Sequence, residues 1–415
     1  MRIPPPLGAA RLPVTWHVVA VHLLERGAVR ARREENGVVA ILRRLDIVLL
    51  GATAAIACFG VVMVYSATRT YYPLEPTYFV KRQVIYLALG VVFLVLCAAI
   101  DYRRLEHLAY PIYGATVASL LAVKVIGKSN AVGYGTGATS SGQTQRWLPL
   151  GPVHFQPSEF GVLAVVAALG CFVQHHEHEL TFKRLVQMLV MAGVPMLLIF
   201  KQPDVGTTFV LAVTLIGSLV FAGVRMRLLA LMMLGVVGAV IAGLVLHVLG
   251  GSQISRLTCF LHQTQQSASG CNYQLFLSRE AIGAGGLKGV GLFHGTVTNL
   301  QYIPEQYADF IFSAIGEQTG FVGSAVLLGL YAVISLRMVR AMQTARDALG
   351  RILCGGALIF LVVSVFQNVG MNIGLMPITG IPLPFVSYGG SAMLAFFAAV
   401  GLVINVELRR VRLGR

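Results

Sequence analysis

The sequence predicts an all-α integral membrane protein, a bundle of about ten transmembrane helices with a long extracytoplasmic loop between spans seven and eight. Three observations predict it. Of the 415 residues, 56% are hydrophobic and 12% charged, with a mean hydropathy of +0.75, far from the mixture of a soluble domain. Apolar runs recur at lengths that cross a ~30 Å hydrocarbon core. Lysine and arginine sort onto alternate connections between those runs.

In chain order, residues 1–44 form a cytoplasmic basic segment with a Pro-rich start and a mixed apolar and basic stretch from Val14 to Arg33. Its apolar part is short and broken by His17 and His22, and no small-residue cleavage site follows, so it does not read as a cleaved leader. A basic helix on the inner leaflet and a disordered tail both fit it. Residues 45–408 form the transmembrane domain, with runs at 46–67, 84–100, 107–126, 159–174, 184–200, 205–223, 228–249, 309–335, 351–373 and 389–406. Residues 409–415 are a basic cytoplasmic tail.

With cytoplasmic termini, inside segments hold 22 of the 32 basic residues, the positive-inside asymmetry. The net charge of +15 is therefore a matter of topology. No basic stripe interleaved with aromatics is present, which excludes nucleic acid as a partner. Nor does the chain carry a Walker-type loop, metal-ligand spacing or a repeat of fixed period.

Three outer segments are long and chemically varied: 127–158, 250–308 and 374–388. Such loops carry function on a rigid scaffold. The first contains Arg146 and Trp147 and ends in Gln156-Pro157-Ser158-Glu159. Pro157 and Ser158 read as a helix start, and Glu159 sits in the first turn, where the helix dipole favours an anion. It is either an interfacial cap or a carboxylate at the rim of an outward cavity. A second start, Lys201-Gln202-Pro203-Asp204, places Asp204 as the cap of span six with Lys201 near enough in sequence to pair with it.

The second long segment includes Arg256, Asn272-Tyr273-Gln274, the glycines from Gly283 to Gly295, and Pro304-Glu305 through Asp309. The glycines suit either backbone approach to a phosphate or a tight re-entrant fold. Asp309 and Glu317, eight residues apart, are expected on one face of span eight. An acid at a helix centre costs about 2.5 to 3.5 kcal/mol, so Glu317 is expected to face the bundle interior or water. In the third segment, Gly380 to Ser391 clusters helix breakers around Ser387. Backbone of this kind at membrane depth is either cavity-lining or a buried kink.

These motifs, in this order over residues 45–408, resemble the shape, elongation, division and sporulation (SEDS; FtsW, RodA, SpoVE) family. The Gly286-Leu287 to Thr296 block is closer to the RodA-like, elongation-type branch than to the FtsW, division-type branch. The resemblance implies a peptidoglycan glycosyltransferase that polymerises lipid II, the undecaprenyl-pyrophosphate-linked disaccharide peptide. It would act at the outer face of the bacterial cytoplasmic membrane, for cell elongation, shape or division, alongside a class B penicillin-binding transpeptidase. That chemistry needs a base for the acceptor hydroxyl, for which a carboxylate suits, and Arg, Lys or a divalent cation for the departing pyrophosphate. No cofactor beyond such a cation is implied. Substrate contacts would fall to Arg146, Glu159, Lys201, Asp204, Arg256, Gln274 and Ser387.

The chain departs from the family pattern at the catalytic aspartate. Residues 261–270 hold no carboxylate, with Gln266 near the expected place, and Val162 and Tyr307-Ala308 replace the family's Lys and His-Thr. His262, Glu305 and Asp309 are the alternative bases. A slow polymerase, a non-catalytic partner of a transpeptidase, and a lipid II flippase are the other readings. Cys259 and Cys271 share the outer loop, where an extracytoplasmic compartment permits a disulfide closing it; the spacing leaves open whether they pair. Cys58, Cys97, Cys171 and Cys354 lie within spans.

Overall fold

The computed structural model describes residues 45–71, 74–126, 147–150, 153–176, 181–202, 204–232, 234–235, 260–261, 263 and 271–409. All but Leu45 belong to one compact unit, Asp46–Arg415. The long helices are α1 (Ile47–Thr68), α2 (Tyr78–Ala99), α3 (Leu105–Ile126), α4 (Pro157–His176), α5 (Phe182–Lys201) and α6 (Val205–Phe221). After them come α7 (Cys271–Gly285), the one-turn α8 (Thr296–Asn299), α9 (Ile311–Gln343), α10 (Ala348–Ile373) and α11 (Gly390–Arg409). Seven of the described helices are long and apolar enough to cross a membrane: α1, α2, α4, α5, α9, α10 and α11. α6 is apolar but has 17 residues. The expected run at 228–249 falls mainly outside the described residues.

Polarity is inverted relative to a water-soluble bundle. Val84, Ile85, Val92 and Leu96 of α2 are about half exposed, whereas Ser66, Gln83, Gln318, Asn368, Asn372 and Asn405 are buried. An apolar outer face of this length is covered by lipid, and the interior polar groups pair with one another or with backbone.

At one end of the bundle, carboxylates fasten helix starts to neighbouring chain segments. Asp46 caps α1 by accepting from Leu49 N at 3.0 Å and also accepts from Arg337 Nε of α9. Asp347 caps α10, accepting from Gly350 N at 2.8 Å, while its other oxygen accepts from Tyr102 Oη at 2.8 Å. Arg409 lies 3.4 Å from Asp101.

At the opposite end, the structure adds a hairpin that the sequence reading left out. β1 (Leu148–Leu150) pairs antiparallel with β2 (Val153–Phe155), Leu148 opposite Phe155. Three-residue strands are too short to show a period of two, so no alternation announces them.

Candidate functional site

Gln156, just after β2, connects three chain segments at this end. Its backbone N–H donates to Ser391 Oγ at the start of α11 at 2.9 Å, and its Nε2 donates to Ser158 Oγ at 3.0 Å and Asp204 Oδ2 at 3.2 Å. Asp204 caps α6 as expected, accepting from Thr207 N at 3.2 Å and Thr207 Oγ1 at 3.0 Å, with Ser158 Oγ at 3.3 Å. Glu159 is buried within electrostatic reach of Asp204. Lys201 does not complete the expected pair. Its side chain is exposed at the end of α5, while Asp204 is 2% exposed and accepts from Gln156, Ser158 and Thr207. Side-chain hydroxyls and amides can follow a carboxylate into a packed core, whereas an ammonium loses hydration there.

The segment from Gly374 to Gly389 folds back into the bundle. Pro384 O accepts from Tyr331 Oη, twenty residues into α9, and Val386 lies against Gly60 of α1. A Cβ on Gly60 would stand 2.6 Å from Val386 Cα, so glycine is what permits the approach. Phe385 adopts φ +64° and is buried between Phe396 and Phe397. Positive φ on a bulky residue persists only where packing fixes it. The segment's polar backbone is paired: Ile381 O accepts from Asn368 Nδ2 at 2.8 Å, Ser387 O accepts from Gln83 Nε2 at 3.2 Å, and Leu383 N donates to Ser387 Oγ at 2.8 Å. Ser387 Oγ in turn donates to Ala308 O. Of the two readings of this segment, the buried one describes its centre.

Ala308 belongs to the third component, residues 303–310. Tyr307 packs against Phe79, Tyr71 and Tyr388 with ring centroids 4.8, 5.5 and 5.6 Å away, and its carbonyl accepts from Tyr388 N at 2.9 Å. Burial among these groups pushes the Tyr307 phenol well above its usual range. Glu305 precedes it with φ +51°. The Glu305 side chain keeps solvent contact, yet surrounding protein raises its carboxyl above the ordinary value by desolvation. Asp309 is half-buried. Its carbonyl accepts from Asn368 Nδ2 at 2.9 Å and Asn372 Nδ2 at 3.3 Å, and its carboxylate faces Gly380 of the re-entrant segment.

Asp309 and Glu317 do not share a helical face. α9 begins at Ile311, so Asp309 lies in the preceding turn. Glu317 does face the interior, where it accepts from Val297 N at 2.8 Å, Thr298 N at 3.0 Å and Thr298 Oγ1 at 2.6 Å. It therefore caps α8. The nearby glycines make a tight fold. α9 breaks at Gly320 (φ +64°), where Val290 N and Gly291 N donate to Glu317 O and Gln318 O at 3.0 and 3.1 Å. Phe321 N and Val322 N donate to Gly286 O and Leu287 O at 2.9 and 3.1 Å. The loop thus takes over hydrogen bonds that an uninterrupted helix would make within itself.

Gln274 is half-buried on α7, one turn before Ser278, whose hydroxyl donates to Asn372 O at 2.9 Å. Arg146, Arg256, His262, Gln266 and the Cys259–Cys271 pair lie outside the described residues or side chains. Among the described residues, no group of three or more His, Cys, Asp or Glu is placed to hold a metal ion.

Sequence reasoning missed Tyr331, Gln83 and Asn368, which hold the re-entrant backbone, and Asn372, which holds the Asp309 carbonyl. The asparagines had a signal: two polar residues four apart inside an apolar run fall on one helical face. Tyr331 had none, because tyrosine is ordinary in a span.

A model of the cell cycle protein family FtsW/RodA/SpoVE matches residues 46–411. The chain is similar to the peptidoglycan glycosyltransferase MrdB of Escherichia coli (strain K12), with 33% identity over 371 residues, 89% of this chain and 95% of that protein. It is 32% identical over 378 residues to a probable peptidoglycan glycosyltransferase FtsW of Trichlorobacter lovleyi, covering 88% and 94%. Among solved structures, a chain described under structural coordination of polymerization and crosslinking by a peptidoglycan synthase complex superposes with a TM-score of 0.72. It shows 27% identity and covers 89% of this chain and 99% of that one. The rod shape determining protein RodA of Thermus thermophilus gives a TM-score of 0.63 at 26% identity, covering 89% and 98%. With the family model spanning all but the two ends and these relatives covering nearly their whole length, this chain belongs to the FtsW/RodA/SpoVE family.

Proposed function

We propose that this chain is a membrane-embedded peptidoglycan glycosyltransferase that joins lipid II units into glycan strands for cell shape or division. It would work at the outer face of the bacterial cytoplasmic membrane, with ten spans, cytoplasmic termini and a transpeptidase partner. The observation that carries the reading is the convergence, at one end of the bundle, of the starts of α4 and α6, the 303–310 turn and the re-entrant segment. These are the segments whose motifs resemble the family. Full-length similarity to proteins named peptidoglycan glycosyltransferases supports it, and a neighbour from a synthase complex supports the partner.

The reaction requires the acceptor sugar hydroxyl to lose its proton to a base while its oxygen attacks the donor's anomeric carbon. The bond from that carbon to the pyrophosphate breaks, and the pyrophosphate leaves with the electron pair. Glu305 and Asp309 are the described carboxylates offered as base, with His262 as the third candidate. Desolvation raises the Glu305 carboxyl above its ordinary value, the direction that strengthens a general base. Arg146, Arg256 and Lys201 are assigned to the pyrophosphate, and Glu159, Asp204, Gln274 and Ser387 to the walls that hold the substrate.

The test is purified protein in liposomes with labelled lipid II, with and without a transpeptidase. Glycan polymer is the expected product. Label crossing the bilayer without polymer would instead make the chain a flippase. Neither activity, with a transpeptidase co-purifying, would make it a non-catalytic partner, a reading that the missing carboxylate in residues 261–270 favours.

A further inference from the structure

A cavity of about 330 Å³ opens between α7 and the loop that follows it. Tyr273, Leu277, Glu280 and Ala284 line one wall; their spacing of three to four residues makes one face of α7. Val290, Thr296, Val297, Tyr302 and Glu317 complete the described lining. The residues assigned above to catalysis and pyrophosphate binding do not line it.

Its charge is one-sided. Glu317 already accepts three hydrogen bonds from α8. Glu280 is exposed, and none of the described residues gives it a hydrogen bond or ion pair. Its sequence neighbour Arg279 is committed elsewhere, donating from Nε to Ile373 O at 3.0 Å and from Nη2 to Gln263 Oε1 at 2.6 Å. Among the described residues that line the cavity, none is a lysine, arginine or histidine. The occupant it suits is therefore a cation.

The walls narrow the class further. A hard divalent ion takes six or more oxygens, and here much of the lining is aliphatic or aromatic carbon. Two tyrosine rings beside a carboxylate suit an ammonium on a carbon stem, through cation–π attraction and a charge-assisted hydrogen bond. The volume lies at the small end of ligand pockets, enough for one side-chain-sized group.

We propose that this cavity binds a primary alkylammonium group, with Glu280 as its counter-ion and Tyr273 and Tyr302 as its aromatic walls. Two sources supply that chemistry at a membrane surface: an amino side chain on the peptide of the substrate, which rests on the function proposed above, and an ethanolamine lipid headgroup, which does not.

The test uses the full chain in detergent, with Nα-acetyl-lysine N-methylamide as probe and saturation-transfer NMR as readout. Saturable transfer to the lysine side chain is expected, weakened about tenfold by Glu280→Gln or by acetylating the probe's amine. Glu280 is exposed, so the variant should keep its fold, which size-exclusion and circular dichroism check. Absence of saturable transfer, or transfer indifferent to both changes, would overturn the proposal. Two arms separate the sources. Lipid II with a free or acetylated peptide amine is bound to wild type and variant in phosphatidylglycerol nanodiscs, and phosphatidylethanolamine retention by both is read by native mass spectrometry. Dependence on Glu280 in the first arm assigns the peptide, and in the second the headgroup. Wild type that holds the lysine probe but not lipid II would sink the polymerase reading alone.

Discussion

The Tyr331 hydroxyl donates to the carbonyl of Pro384, fastening the deepest part of the re-entrant segment to the middle of α9. Both groups are buried, and no backbone N–H of the described residues donates to this carbonyl, so the phenol is what spares the core an unpaired acceptor. The carbonyl sits beside Phe385, the residue held at positive φ.

Tyr331→Phe should therefore destabilise the protein by about 1 to 3 kcal/mol, the cost of a buried acceptor without a donor. Thermal unfolding of the purified protein measures it. An unchanged midpoint would mean that the segment is held by its other contacts alone.

Glu317→Gln replaces one of two acceptor oxygens with an amide that opposes the N–H groups of Val297 and Thr298. The loss should be about 1.5 to 3 kcal/mol, as for hydrogen bonds to a charged group. It should show locally, as faster hydrogen exchange in residues 296–299 than in the middle of α10. Uniform protection in both segments would contradict the capping role.

Asp204→Asn keeps the shape of the α6 cap but turns one oxygen into a donor facing Gln156 Nε2, Ser158 Oγ or Thr207. Polymer output from lipid II should fall at least about tenfold, as α4 and α6 lose a shared acceptor. A purely local cap predicts only the loss typical of an N-cap, about 1 kcal/mol of stability, with normal output.

The Glu305 carboxyl is raised above its ordinary value by desolvation. A base must be deprotonated, so if Glu305 takes the acceptor proton the rate should rise with pH through a midpoint above that ordinary value, and Glu305→Gln should abolish the rise. Stability runs the other way. A carboxyl whose folded pKa lies above its unfolded one favours the folded state below the unfolded pKa, and that contribution is lost as pH climbs through the folded pKa. A rate profile that Glu305→Gln leaves unaltered would transfer the role to Asp309 or His262.

Gln266→Asp supplies a carboxylate to a stretch that has none. Losing a general base costs about 10² to 10⁴ in rate, so output should rise by part of that range where the surrounding geometry can use it. A flat response would identify this chain as one whose chemistry, or lack of it, no longer runs through that loop.

What the sequence determined by itself was the sorting of residues between lipid, packed interior and polar ends. The lengths of α1, α4 and α5, the start of α4 at Pro157 and the Asp204 cap were all legible, because hydropathy over twenty residues and capping over four are local properties. The tertiary structure decided which polar groups meet. Lys201 and Asp204 are three residues apart yet point to different surroundings, while Gln156 finds Asp204 and Ser391 from across the chain. Whether Glu317 would face water or cap a turn in the interior depended on where residues 296–299 come to lie. Spacing along a chain limits what two side chains can reach, but only packing fixes where they point, and a buried polar group takes whichever partner the packing presents.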